Sequence, residues 1–255
     1  MEEFDGLILD LDGVVWIGPE AVPGSVEAIA ELRAHGIPLV FLTNDPFGSR
    51  AQYAERLTRL GIPADEREIV TSGSALASLM VEREGAGKTT FAIGSASLKA
   101  ELSSAGLQLV DGREAELVAV GGHKDFNYDE LRIATQALRR GARLYAAGRD
   151  ATFPMPDGPW PGTGSIVAAL ETAGGTQATS AGKPEPYIFE LARSLLPDSH
   201  RVAIVGDNLD SDIAGGKGAG LTTILVLTGT SSQADVATAG IQPDVLLPDL
   251  GGLVG

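Results

Sequence analysis

Short apolar runs of strand length alternate with stretches of helical periodicity along almost the whole chain. That rhythm predicts an α/β protein built on mostly parallel sheets. GLILD, residues 6–10, reads as a buried strand. It is followed by SVEAIAELRAHG, where Val26, Ile29, Ala30 and Leu32 recur near helical spacing and Gly36 supplies a stop. IPLVFLTND reads as a second buried strand and SRAQYAERLTRLG as a second helix ending at Gly61, so the chain opens βαβα. TTFAIG, SASLKAELSSAG, LVAVGG, YDELRIATQALRRG, ARLYAAG and GSIVAALETAGG continue the alternation, and PYIFELARSLL, RVAIVGDN, DIAGGKGAG and LTTILVLTG close it. FPMPDGPWPG, residues 153–162, carries four prolines and two glycines and is expected to be a loop.

Polar residues collect where the buried strands end. LILD ends in Asp10, with Asp12 just beyond; LVFLTND ends in Thr43, Asn44 and Asp45; RVAIVGDN ends in Asp207 and Asn208, with Asp210 and Asp212 opening the next helix. Residues two apart on an extended strand share a face, so Asp10 and Asp12 are expected side by side. AGKPEP, before PYIFELARSLL, contributes Lys183. Ligands of open parallel sheets bind outside the carboxyl ends of the strands, so these four sets are expected to converge on one crevice. Several acids around one lysine repel one another unless a divalent ion joins them. An all-oxygen site suits Mg²⁺. A carboxylate can also serve as a nucleophile, and the resulting chemistry is phosphoryl transfer. Asp10 would attack, Lys183 would neutralise charge on the phosphoryl oxygens, Thr43 and backbone amides would donate hydrogen bonds, and Asp12 would manage the proton.

Composition narrows the remaining classes. The 255 residues are 44% apolar, enough for one large or two ordinary domains with a buried core. No apolar run approaches the length of a membrane span, and the opening MEEFDG lacks signal-peptide order, so a cytoplasmic protein is expected. The absence of cysteine excludes disulfides, thiolate metal sites and cysteine nucleophiles. A net charge of −15 without a Lys/Arg block argues against nucleic acid.

DLDGVV, TND, GKP and GDNLDSD, in that order, resemble the four motifs of the haloacid dehalogenase superfamily of Mg²⁺-dependent phosphatases. GGHKDFNYDELRIATQALRRGARLYAAGRD, PGTGSIVAALE and KPEPYIFELA are similar to its NagD-like branch, which includes p-nitrophenyl phosphatases. The resemblance implies a Rossmann-like core over residues 1–72 and 181–255, interrupted by an α/β cap over 73–180 that governs substrate choice. It implies Asp10 as nucleophile, Asp12 as acid/base, and Lys183 as charge neutraliser. Magnesium would be held by Asp10, Asp207 and the Asp12 carbonyl, with Asp212 and Asn208 behind them. Thr43 and Asn44 become phosphate contacts, with Gly13 and Asp45 also on the substrate, while Arg149 and Asp150 are candidates for reading the leaving group. The substrate would be a small phosphorylated metabolite, and a homodimer is suggested. Two positions depart from the branch, which usually has asparagine where Asp45 and Gly148 stand.

Simpler readings exist for each piece. An isolated DxDG is often a surface turn, Asp207 and Asp212 could merely begin a helix, and Lys183 could be solvated. PGTGS has glycines but no following lysine and is expected to cap a helix rather than bind a nucleotide. His35, His123 and His200 lack metal spacing, although His123 beside Lys124 could approach a substrate. A catalytically weak phospho-ligand sensor of the same fold is the alternative function. Asp12 argues against it, because a binder needs no proton for a leaving group. A dehalogenase needs neither Asp12 nor a metal.

Overall fold

A computed structural model describes residues 4–112, 114–155 and 157–254. The chain folds as two compact units, one of residues 1–43, 50–70 and 183–255 and the other of residues 44–49 and 71–182.

The first unit holds a six-stranded sheet in the order Val245–Leu247, Thr222–Val226, Val202–Gly206, Gly6–Asp10, Leu39–Thr43, Ile69–Thr71. The four pairings from Val245–Leu247 across to Leu39–Thr43 are parallel. Every residue of Gly6–Asp10, Leu39–Thr43 and Val202–Gly206 is buried, which is why these strands read as unbroken apolar runs rather than alternating ones. Ala28, Ile29 and Leu32 of helix Ser25–Ala34, with Tyr53 and Leu57 of helix Arg50–Arg59, share a core with Leu7, Leu9, Phe41 and Val205. Truncating any one of these leucines would cost about 2–5 kcal/mol. From Gly6–Asp10 the chain steps outward through Leu39–Thr43 to Ile69–Thr71, then returns at Val202–Gly206 and builds outward the other way. The strand order therefore reverses between Gly6–Asp10 and Val202–Gly206, the switch point at which such sheets bind ligands.

The second unit has a five-stranded parallel sheet in the order Thr179–Ser180, Arg143–Ala146, Leu117–Val120, Thr89–Ile93, Gln108–Leu109. Ala134, Ala137 and Leu138 of helix Tyr128–Leu138 and Ile166, Val167 and Leu170 of helix Thr163–Gly174 share its core with Val118, Val120, Leu144 and Ala146. Residues 44–49 belong to this unit rather than to the first, with which the resemblance groups them. Ser72 Oγ donates to the Asn44 carbonyl at 2.9 Å and Ser95 Oγ to the Pro46 carbonyl at 3.0 Å, which ties the segment down.

The segment expected as a loop at 153–162 is instead largely an antiparallel hairpin, Thr152–Met155 with Gly158–Pro161. Pro156 lies outside the described residues. The pairings Pro154↔Pro159 and Thr152↔Pro161 put the prolines on alternate positions of the ladder, those whose missing N–H would point outward. A two-stranded ribbon is all edge, so it tolerates the prolines that a central strand could not.

Candidate active site

Asp10 is the last residue of its strand, opposite Leu42 in the register, so that Thr43 ends the neighbouring strand one residue further on. On the other side Leu9 pairs with Val205, and Asp207 follows the last residue of Val202–Gly206. The parallel register alone thus delivers Asp10, Thr43 and Asp207 to one end of the sheet. Asp10, Thr43, Lys183, Asp207 and Asp212 are all buried.

Lys183 Nζ donates to Asp10 Oδ1 at 2.7 Å and to Asp212 Oδ1 at 2.6 Å. Single carboxylate oxygens of Asp10, Asp207 and Asp212 lie within 4.8 Å of one another. Burial by itself would push the Lys183 ammonium down, but Asp10 and Asp212 overcome it and hold Lys183 charged. Burial pushes the Asp10 carboxyl well above the usual range; Lys183 opposes this, and Asp212 and Asp207 add to it. Asp207 is also raised, by burial and then by Asp212, against the amide of Thr230. One ammonium faces three carboxyl groups, and the surplus negative charge in a buried, all-oxygen setting fits a hard divalent cation such as Mg²⁺.

The loops around this cluster hold it from behind. Thr230 N donates to Asp207 Oδ2 at 2.6 Å, and Ser231 N donates to the Asp207 carbonyl at 2.9 Å. The Asn208 amide donates to Asp212 Oδ2 at 3.1 Å, while Asn208 Oδ1 accepts from Asp210 N at 2.9 Å and Ser211 N at 3.2 Å. Asn208 thereby caps the single π-helical turn Leu209–Ile213 that carries Asp212. Gly13 has φ 78°, and a Cβ there would run into the Asp207 carboxylate, as would one at Gly229. Gly13 therefore shapes the pocket as well as lying beside it.

Two of these residues have partners that the sequence did not signal. The strand ends at Asp10, and the chain turns through residues 11–16, with Val15 N and Trp16 N both donating to the Leu11 carbonyl. Asp12 is exposed, lies outside the three-carboxylate group, and accepts from Trp16 Nε1 at 2.9 Å. Asp212, expected behind the ligands, shares Lys183 with Asp10 and accepts from the Asn208 amide, and one of its oxygens lies within 4.8 Å of oxygens of Asp10 and Asp207.

The other candidate residues belong to the second unit. Asn44 Nδ2 lies 3.4 Å from Asp150 Oδ2, and Asp45 Oδ1 accepts from Phe47 N at 2.9 Å, closing a turn. Arg149 donates to Glu171 Oε1 and to the Ala178 carbonyl, each at 2.8 Å, which makes it a strut between helix Thr163–Gly174 and the segment before Thr179. A Cβ at Gly148 would come 3.2 Å from Asp150 Oδ2, so the asparagine usual in the branch would press on Asp150. The PGTG segment directs Gly162 N to the Ala151 carbonyl at 2.8 Å and Gly164 N to the Asp150 carbonyl at 2.9 Å, so these amides serve the fold. His123 pairs with Glu130 at 3.0 Å. Lys124 lies 5.2 Å from the Phe47 ring, 5.8 Å from Phe153 and 6.0 Å from Trp160, a cluster the sequence did not signal. The Thr228–Ser231 loop was also missed, although LTGTSS, a small polar run after a buried strand, follows the pattern that exposed the other motifs.

Comparison with known proteins decides the family. A family model described as haloacid dehalogenase-like hydrolase matches residues 7–108, and one described as HAD-hydrolase-like matches 180–253. An acid sugar phosphatase of Staphylococcus haemolyticus is 32% identical over 251 residues, 98% of this chain and 95% of its own length. The chain belongs to the haloacid dehalogenase-like hydrolases. It is a phosphatase of that family. The fold of this phosphatase is similar to that of glycerol phosphate phosphatase from Mycobacterium tuberculosis in complex with magnesium, with a TM-score of 0.92 and 34% identity over 98% of this chain and 76% of that one. It is equally similar to p-nitrophenyl phosphatase from Archaeoglobus fulgidus, with a TM-score of 0.92 and 34% identity over 99% of this chain and 98% of that one.

Proposed function

We propose that this phosphatase hydrolyses phosphomonoesters of small sugars or polyols in the cytoplasm, with Asp10 as nucleophile and Asp12 as acid/base, and with residues 71–182 as a substrate-selecting cap. The reading is carried by one observation: at the switch point of the sheet a buried lysine is shared, at 2.7 and 2.6 Å, between Asp10 and Asp212. A surface turn or a solvated lysine would show no such convergence. The relatives named for sugar and glycerol phosphates support the substrate class.

An Asp10 oxygen attacks phosphorus, and the bond from phosphorus to the ester oxygen breaks as the new one forms. The departing alkoxide takes a proton from Asp12. Asp12, now ionised, accepts a proton from the water that attacks the aspartyl phosphate, which releases phosphate and regenerates both groups. Lys183 keeps Asp10 oriented and offers positive charge to the phosphoryl oxygens, and Thr43 stands at the adjacent strand end as a hydrogen-bond donor. Asp10, Asp207 and Asp212 would offer carboxylates to magnesium, which would supply further positive charge to the phosphoryl group.

A panel of sugar, polyol, nucleotide and aryl phosphates, assayed for phosphate release with and without Mg²⁺, tests both class and substrate. Asp10→Asn should lower turnover by at least a thousandfold while leaving the melting curve near wild type, since the exchange removes the nucleophile and little volume. Undiminished turnover in that variant would refute the mechanism.

A further inference from the structure

Trp16 is completely buried, and its indole Nε1 donates to the exposed carboxylate of Asp12 at 2.9 Å. Helix Arg50–Arg59 holds the ring. Tyr53 stacks on it with centroids 6.3 Å apart and planes at 10°, and the Arg56 guanidinium carbon lies 3.8 Å from the ring centroid. Arg56 also donates to the Gly18 carbonyl, just past the turn that carries Asp12 and Trp16. Tyr53 and Arg56 are one helical turn apart and so present themselves together. A buried indole N–H needs an acceptor, and packing alone would be satisfied by any carbonyl. Here the acceptor is the carboxylate that the proposed mechanism uses to move a proton. A hydrogen bond donated to one carboxylate oxygen sets the direction of the other.

We propose that Trp16 is a positioning residue for Asp12: its N–H, fixed by Tyr53 and Arg56, aims the carboxyl at the leaving-group oxygen. The inference rests on the reading of Asp12 as proton donor, and the two can be separated by leaving-group chemistry. An alkyl phosphate expels a strongly basic alkoxide and needs the proton, whereas p-nitrophenyl phosphate expels a stabilised anion and hardly does. The measured quantity is kcat/KM, which reports steps up to departure of the leaving group, for p-nitrophenyl phosphate and for the alkyl phosphomonoester most readily hydrolysed in the panel.

Asp12→Asn must first depress the alkyl reaction far more than the aryl one; failure here overturns both the acid/base reading and the inference. Trp16→Phe keeps a ring against Tyr53 and Arg56 but has no N–H. It should lower alkyl kcat/KM on the order of tenfold to a hundredfold, below the full worth of a general acid, and leave the aryl value within about threefold. Arg56→Met should shift the same ratio in the same direction by less. A poorly folded fraction lowers both substrates equally, so the ratio survives partial misfolding. If Trp16→Phe does not fold, replacing the indole with benzothiophene in a Trp160→Phe background removes the N–H without changing shape. Equal losses on both substrates, or an unchanged ratio while Asp12→Asn retains its discrimination, would overturn the role of Trp16 and leave the mechanism standing.

Discussion

Lys183 brings one positive charge into a space that holds three carboxyl groups, and this imbalance governs what its removal would do. Breaking a buried ion pair by deleting one partner strands the other charge and costs about 3–5 kcal/mol. Lys183→Met should therefore melt well below wild type in EDTA, recover part of the loss on adding Mg²⁺, and still turn over at least a hundredfold more slowly. Thermal melts with and without the ion check the first two points, and a phosphate-release assay the third. At this scale the sequence was informative about Asp10, Lys183 and Asp207, because each ends an apolar run or sits in a recognisable motif. It did not signal the hydrogen bond of Trp16 to Asp12 or that of Lys183 to Asp212. Two-residue alternation holds only while the strand continues, and the strand ends at Asp10. The contact of Asp212 with Lys183 joins residues 29 apart in the chain, which no local pattern encodes.

Among elements, the hydrogen bonds at the unit edges make separate predictions. Glu171 accepts from Arg149 and from the Ala178 amide, each at 2.8 Å, and its carboxyl is lowered by the Arg149 hydrogen bond first. Arg149→Ala should cost about 1 kcal/mol of stability and leave the rank order of substrates unchanged. A changed order in the panel would return Arg149 to a reading role. Asp244 fastens the edge strand Val245–Leu247 to its neighbour: its carboxylate accepts from Lys217 Nζ at 2.7 Å, Thr223 Oγ1 at 2.7 Å and Thr223 N at 2.9 Å. The Lys217 and Thr223 hydrogen bonds hold it down to about 2, against 3.8 for a free aspartate. A depressed acid stabilises the fold fully above its unfolded value and loses that contribution as pH falls through the folded one. Asp244→Asn should accordingly be less stable than wild type at pH 7, with the gap closing between about pH 4 and pH 2 in urea titrations. The long strands and helices were legible because burial on both faces or a 3.6-residue stripe leaves a pattern. The proline hairpin was not, since proline marks loops and ribbon edges alike.

For the whole molecule, the formal charge of −15 opposes an anionic substrate, so positive charge must be supplied locally, by Lys183 and by the metal. EDTA should abolish turnover and Mg²⁺ restore it. Because an ion that binds only the folded state stabilises by about 2.7 kcal/mol at a hundred times its Kd, Mg²⁺ should raise the wild-type melting temperature. Asp207→Asn should show a much smaller rise, readable in the same thermal scan without any activity. The order of strands and helices, the α/β class, the oxygen-only chemistry and the residues at strand ends were fixed by local patterns of hydrophobicity and by motif, which act over a few residues and so are written in the sequence. Which carboxylates meet, the sharing of one ammonium between Asp10 and Asp212, and the indole behind Asp12 were decided only by tertiary structure. Such contacts depend on register and loop geometry summed over long stretches of chain, and no short run of residues carries that sum.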